Sequence, residues 1–343
     1  MATMRDVATR AGVSIATVSF VVNDTKPVSS ATRRRIERAM VELGYRRNVV
    51  ARALASQRTR IIALAYPALD HRLSGSAMEF VTAAASAASE RGYHLVLWPV
   101  GNDGGELTEL VGQGLVDGVL LMELQLQDPR VELLQQAGTP FALIGRTADP
   151  SGLPHVDIDF DATIAGALDH LTGLGHRRVV LVSGSQEQAS FRSYGPYVRS
   201  EAAFARLGAE RGLETEVLVC RSSPEAGRRL ADELLAEVPD ATGVVIMNEF
   251  AALGLLAGLR TRGIRVPADL SVISVIGSDE MASIADPPLT IMRAPGSDLG
   301  RLGLDALVRR LEAAEPLPPQ LVPCVFVPGS STARPRRRRR LVA

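Results

Sequence analysis

From Ile61 onward the sequence carries nine short apolar runs, at residues 61–66, 94–100, 118–122, 141–144, 178–182, 216–220, 244–247, 271–276 and 290–292. Stretches of helical character, such as 76–91, 162–174 and 224–236, separate most of them. Runs with no polar alternation are what strands buried on both faces look like, and parallel neighbours need long crossovers between them. The pattern therefore predicts an α/β body with mostly parallel sheets. Nine strands are more than one compact doubly wound sheet usually carries, so two α/β lobes with a cleft between them are expected. The chain should cross near 157–161 and return near 287–289, giving lobes of 61–157 with 289–322, and 158–288 with 323–330.

The first sixty residues follow a different rule. They hold twelve Lys or Arg against four Asp or Glu, an excess of eight positive charges, whereas residues 61–333 hold twenty against thirty-four. A basic module ahead of an acidic body suggests a polyanion-binding head on a domain with another job. Thr3 and Asp6 are spaced as a capping box, Val7 and Ala11 mark one apolar face, and Gly12 ends the helix. Ser14 is placed to cap a second helix that buries Val18, Val21 and Val22. Two helices joined by a short glycine-containing turn have helix-turn-helix geometry. A third helix starts at Ser29 or Ser30, with Ile36, Met40 and Leu43 as its buried stripe, and stops at Gly44; Arg33, Arg34, Arg35 and Arg38 lie on its other face.

Composition removes several activities. Lys26 is the only lysine in the chain, so the body has no residue for a Walker A loop, an internal aldimine or a Ser-x-x-Lys nucleophile. Gly-x-Ser-x-Gly is absent, as is any His-x-x-x-His pair, which argues against a hydrolase and a catalytic zinc. Asp157, Asp159 and Asp161 begin like a calcium loop, but Ala162 and Leu168 stand where glycine and glutamate are needed, so a strand-end crossover is expected there instead. No metal or cofactor is expected. Cys220 and Cys324 are the only cysteines and have no neighbours at ligand spacing, as in a reduced, cytoplasmic chain. The longest apolar runs, at 61–69 and 116–122, fall well short of the roughly 18–20 residues of a membrane span, and no export signal follows Arg5 and Arg10.

In the head, Met4-Arg5-Asp6-Val7-Ala8, Ala11-Gly12-Val13-Ser14, Thr17-Val18-Ser19, Val22-Asn23, Thr32-Arg33 and Glu42-Leu43-Gly44-Tyr45 stand at fixed spacing. Val50-Ala51-Arg52-Ala53-Leu54 follows, and the body carries Val116-Asp117-Gly118, Leu174-Gly175-His176-Arg177-Arg178, Gly263-Ile264-Arg265-Val266-Pro267 and Pro287-Pro288-Leu289-Thr290. In this order the blocks resemble the lactose/galactose-repressor family of transcriptional regulators up to about Gly329. The resemblance implies a helix-turn-helix head at 1–60 with a hinge helix at about 48–56, and a two-lobed body like that of periplasmic binding proteins.

It also implies site residues. Ile15, Ala16 and Phe20 would face base edges, while Thr3, Ser14, Thr17, Ser19 and Asn23 would meet phosphates or cap helices. None of the three reading side chains can make a bidentate hydrogen bond, so readout would rest on van der Waals contact, for instance with thymine methyls. Lys26 would touch a base or a phosphate. On the hinge, Asn48, Leu54 and Ala55 would contact DNA, with Leu54 as a minor-groove wedge. Arg47 stands where family members usually have proline, which loosens that turn. In the body, Arg199, Asn248, Glu249 and Asp279 correspond to effector contacts, although the run from Ser274 to Ser278 departs from the family's usual aspartate. The expected protein is a homodimeric regulator, most simply a repressor, of a near-palindromic duplex operator, responding to a carbohydrate-like effector. An effector-independent DNA binder and a sugar-transport protein are the alternatives. Residues 331–343, with arginines at 336–340, are expected to form a disordered basic tail.

Overall fold

The computed structural model describes residues 2–23, 26–45, 58–67, 75–187 and 192–336. The chain divides into two compact units between Thr59 and Arg60. The expected hinge helix at 48–56, with Asn48, Leu54 and Ala55, lies outside the described residues, as do the arginines at 337–340.

The first unit consists of α1 (Met4–Ala11), α2 (Ile15–Asn23) and α3 (Ser30–Glu42). Thr3 N donates to Asp6 Oδ2 at 2.8 Å and Asp6 N donates to Thr3 Oγ1 at 3.3 Å, a reciprocal cap for two otherwise unpaired amides. α1 ends where Gly12 turns to φ 63°, a left-handed conformation that a side chain would strain. Thr17 N donates to Ser14 Oγ at 3.1 Å and Thr32 N donates to Ser29 Oγ at 3.3 Å, so both following helices also start on a serine. Val7, Ala8, Ala11, Val18, Val21, Val22, Ile36 and Ala39 form the core. Here the structure departs from the expected stripe on α3. Ala39 joins Ile36 inside, Met40 is half-buried, and Leu43 is 36% exposed because it is the C-cap residue, past the turns that face the core.

The second unit holds two six-stranded sheets. The first contains β1 (Ile61–Tyr66), β2 (His94–Pro99), β3 (Gly118–Met122), β4 (Phe141–Ile144), β5 (His155–Ile158) and β11 (Gln320–Val322), in the order β11-β5-β4-β3-β1-β2, all parallel. The second contains β6 (Arg178–Gly184), β7 (Glu214–Cys220), β8 (Gly243–Ile246), β9 (Ser271–Gly277), β10 (Thr290–Arg293) and β12 (Val325–Val327). Their order is β12-β10-β9-β8-β6-β7, with β12 alone antiparallel to its neighbour. Helices α4 (Gly75–Glu90), α5 (Gly105–Gly112), α6 (Pro129–Gln136) and α12 (Gly296–Leu311) belong to the first lobe. Helices α7 (Phe160–Leu174), α8 (Gly195–Glu210), α9 (Pro224–Glu237), α10 (Glu249–Thr261) and α11 (Asp279–Ile284) belong to the second. One apolar core runs from Ile62 and Leu64 in the first lobe through to Leu181 and Val245 in the second.

All nine expected strands are present, and three more were not foreseen. β5 is four residues long and carries His155 and Asp157, while β11 and β12 are three residues each in a proline-rich stretch. The expected return near 287–289 is corrected: β10 still pairs with β9 in the second sheet, so the chain goes back only after Arg293, on entering α12. A third crossing falls between Val322 and Val325.

The expected disordered tail from residue 331 is also corrected at its start. Ser331 is fully buried, where it accepts from Thr290 N at 2.8 Å and donates to Val272 O at 2.5 Å. His176 Nε2 donates to Ala333 O at 2.9 Å, and His170 Nε2 lies 2.8 Å from Thr332 Oγ1. No helix among the described residues is long and apolar enough to cross a membrane.

Candidate functional site

Two surfaces collect the residues singled out by sequence, one in each unit. In the first, Ser14, Ile15 and Ala16 at the start of α2 are exposed, and Thr17, Ser19 and Phe20 are half-buried. The 44% exposure of Ile15 leaves a large apolar side chain uncovered by the core, as contact with base edges would require. Lys26 is exposed, with its Nζ 5.1 Å from the centre of the Phe20 ring. Thr3 and Ser14 are committed to helix caps, and Asn23 closes α2. Arg34, Arg35 and Arg38 stand exposed on α3, whereas α2 contains no charged residue.

In the second unit the carboxyl ends of β3, β4, β5, β8 and β9 converge on a cavity of about 160 Å³ between the lobes. Strand ends of parallel sheets collect ligands because backbone and loop polar groups meet there. Asp157 projects from β5 and is 4% exposed. Its Oδ1 accepts from Ile158 N at 2.8 Å, whereas Oδ2 lies 3.4 Å from Arg146 Nε, close enough for an ion pair but without a hydrogen bond. Burial pushes this carboxyl up to about 6, against the pull of Arg199 and Arg146. Arg199, on α8, donates from Nη2 to the carbonyls of Arg146 and Thr147, each at 2.9 Å, and so ties the second lobe to the first. Burial lowers its pKa, and the neighbouring Asp157 opposes that.

Asn248 caps α10 by accepting from Ala251 N at 2.9 Å, which leaves its amide NH2 for the cavity. Glu249 accepts from Ser278 N, and its pKa is raised by burial. Burial also holds Tyr194 and Tyr197 protonated, with their rings edge to face at 4.8 Å. Phe80, Phe160, Met247 and Leu299 supply apolar walls. Two lining residues have left-handed backbones, Glu123 at φ 55° and Ile276 at φ 61°. For the β-branched Ile276 this is a strained conformation of the kind that collects at binding sites.

Of the four expected effector contacts, Arg199, Asn248 and Glu249 line this cavity. Asp279 is not among the lining residues: it sits exposed on the first turn of α11, where Arg293 Nη1 donates to its Oδ2 at 2.9 Å. Sequence reasoning missed Asp157, Arg146 and the two tyrosines. The trio of aspartates was expected to mark a strand-end crossover rather than a calcium loop, and the fold gives its members three separate jobs. Asp157 enters the cavity, Asp159 caps α7 by accepting from Ala162 N at 2.9 Å, and Asp161 pairs with Arg206. Among the described residues no three His, Cys, Asp or Glu side chains are grouped to hold a metal.

A carboxyl raised from 3.8 to about 6 has a testable cost. The folded state holds this proton more tightly than the unfolded chain, so the contribution of Asp157 to stability is full below about pH 4 and lost as pH rises through about 6. At 1.36 kcal/mol per pH unit, Asp157→Asn is expected to stabilise the unliganded protein at pH 7 by about 2–3 kcal/mol. Denaturant unfolding of both proteins from pH 4 to 8 checks this. A stability difference that stays flat with pH would refute it.

Comparison with known proteins adds the following. The family described as "Bacterial regulatory proteins, lacI family" matches residues 3–48, and "Periplasmic binding protein-like domain" matches residues 168–332. The HTH-type transcriptional regulator CelR of Thermobifida fusca is 35% identical over 330 residues, covering 92% of this chain and 94% of that protein. The ribose operon repressor of Escherichia coli (strain K12) is 32% identical over 320 residues, covering 91% and 93%. Among solved structures, the lac repressor dimer bound to operator and the anti-inducer ONPF has a TM-score of 0.83 at 25% identity, covering 97% of this chain and 99% of that one. A CelR–cellobiose complex has a TM-score of 0.71 at 30% identity, covering 96% and 100%.

Proposed function

This chain belongs to the lacI family of bacterial regulatory proteins, and from that premise we propose that it is a homodimeric repressor of a near-palindromic operator whose affinity is set by a small polyhydroxylated effector held between the lobes. The observation that carries the effector half is Asp157. A buried carboxylate with one unsatisfied oxygen, flanked by Arg146 and Arg199, destabilises the empty cavity and suits a ligand that brings hydroxyl donors. Neutral sugars present such donors together with C–H faces for aromatic walls, and the CelR structure was solved with cellobiose. Effector binding would change the lobe geometry and with it the fit of the paired heads to half-sites about one helical turn apart. The head contributes phosphate contacts and, through Ile15, Ala16 and Phe20, apolar base contacts. Leu54 would act as the wedge.

Selection of bound sites from random duplex DNA by the purified protein, at two salt concentrations and with Leu54→Ala in parallel, tests the operator half. A palindromic consensus is expected from the wild type and should be lost in the variant. Enrichment without sequence preference that disappears with salt would leave only electrostatic affinity. Repeating the selected-site binding with cellobiose and ribose tests the effector half. A second reading, DNA binding without an effector, is favoured by one feature, the position of Asp279 outside the cavity lining and paired with Arg293. Operator affinity indifferent to the whole sugar panel would support it.

A further inference from the structure

Just after β3, residues 124–126 of the first lobe run beside residues 193–195 of the second, which lead into α8. Leu126 N donates to Ser193 O at 2.8 Å and Gly195 N donates to Leu124 O at 3.0 Å, so Gln125 and Tyr194 face each other as an antiparallel pair. Both bonds belong to the flanking residues, which makes this the non-hydrogen-bonded kind of pair, with Cα atoms only about 4.5 Å apart. It is main-chain pairing across the cleft rather than within a sheet. Each side is held in place for it. Asp128 accepts from Gln125 N at 3.1 Å, Arg130 Nη2 donates to Glu123 O at 2.9 Å, and Ala148 N donates to Leu126 O at 2.7 Å. The buried Asp128–Arg130 pair thus fixes the residues on both sides of Leu124. In the second lobe, Ser193 N donates to Gln186 Oε1 at 3.0 Å, and Arg199, one turn into α8, holds the carbonyls of Arg146 and Thr147. Gly195 stands between these contacts: a Cβ there would overlap Arg199 Nη1 and lie 3.3 Å from Leu124 O. Leu124, Arg146, Tyr194 and Arg199 all line the cavity.

We infer that segments 124–126 and 193–195 form a latch, a main-chain contact that fixes the lobe spacing in the unliganded protein and has to open before the lobes can part along this edge. The three chain crossings are covalent, and the latch adds a connection that can break. Gly195 and Arg199 share the first turn of α8, so the main-chain bonds and the Arg199 bonds are made and lost together. Such a contact has two states rather than a graded range. Its regulatory use rests on the reading of the cavity as the effector site: occupancy then sets lobe spacing by favouring one state of the latch over the other.

Two experiments on the full-length, unliganded protein test the latch without any effector. The close Cα approach suits a disulfide, so Gln125→Cys with Tyr194→Cys is expected to cross-link within one chain under mild oxidation. The denatured product should then titrate only the thiols of Cys220 and Cys324. Two additional free thiols after oxidation would overturn the inference. In the second experiment, hydrogen exchange is read at single amides. One opening event frees Leu126 N and Gly195 N, so in the wild type their protection factors should match, and Gly195→Ala should speed exchange of Leu126 about tenfold or more. Amides in the centre of α9 should be unchanged, which separates an open latch from a misfolded lobe. Equal exchange of Leu126 in the two proteins would also overturn it. A last arm adds cellobiose or ribose to the wild type. A sugar that shifts operator affinity should change Leu126 exchange at least about fivefold, and no change would overturn the regulatory use. If neither sugar shifts operator affinity, the effector reading fails for those sugars, while the thiol and exchange arms still decide the latch.

Discussion

Gly254→Ala is expected to lower the thermal unfolding midpoint of the body by roughly 6–12 °C, at about 2–4 °C per kcal/mol for a unit of this size. α9 and α10 cross with backbone against backbone. A Cβ at Gly254 would lie 2.1 Å from the carbonyl oxygen of Pro224 and within 2.9 Å of its C and Cα. Gly227 repeats the arrangement from the other helix, where a Cβ would be 2.1 Å from Ala251 O. No rotamer change relieves a clash with main chain, so the two helices must separate. Overpacking typically costs about 1–3 kcal/mol, and a clash with an immovable partner belongs at about 3. Gly173→Ala makes the control. It lies in α7 with nothing within 4 Å of the added methyl, so it should gain up to about 1 kcal/mol from helix propensity. Calorimetry of the three proteins checks both signs, and similar losses at both positions would refute the close-packing account.

Asp128→Ala should cost about as much or more, for an electrostatic reason. Arg130 and Asp128 are both without solvent contact at their side chains. The guanidinium donates from Nε to Asp128 Oδ1 at 2.9 Å, from Nη2 to Oδ2 at 2.7 Å, and from Nη2 to Glu123 O at 2.9 Å. Asp128 also accepts from Gln125 N at 3.1 Å and caps α6 through Arg130 N at 3.1 Å. Removing the acid strands a buried cation and two amides at once, and breaking a buried pair costs about 3–5 kcal/mol. Urea unfolding of Asp128→Ala, Arg130→Met and the double variant measures it. The double variant is expected to recover much of the loss, because most of the penalty is the orphaned charge rather than the missing attraction. Additive losses would refute that. Glu123 and Leu124 border the cavity, so Asp128→Ala should also weaken any ligand that stabilises the wild type.

How much of this was legible in the sequence varies with the physics of each element. The nine apolar runs were readable because strands covered on both faces need unbroken hydrophobicity. β5 was not, since Asp157 sits inside a strand whose burial is complete, and a four-residue strand has too little else to betray it. β11 and β12 lie among prolines and are held mainly by pairing with β5 and β10, a nonlocal cause that no local pattern carries. The lobe to which β10 belongs was unreadable for the same reason: apolarity tells that a strand is buried, not beside what. In the cavity, Arg199, Asn248 and Glu249 were found through resemblance. Asp279, named by the same resemblance, is not among the cavity's lining residues and pairs outward with Arg293. Asp157 had one usable signal, an acid two residues ahead of the helix-capping Asp159 at a strand end.

The three crossings between lobes also set an order of events for a growing chain. The first lobe cannot be finished when Ile158 has emerged, because α12 and β11, which cover and extend its sheet, lie at 296–311 and 320–322. At roughly 5–20 residues per second of synthesis, its open face stays uncovered for about 8–30 s while the second lobe, apart from β12, is made. A ribosome-bound nascent chain stalled anywhere in α7 to β10 therefore exposes the apolar face later sealed by Leu299, Leu304 and Leu307. How long that face stays open follows from where residues 296–322 sit in the chain, independently of how stable the finished fold is.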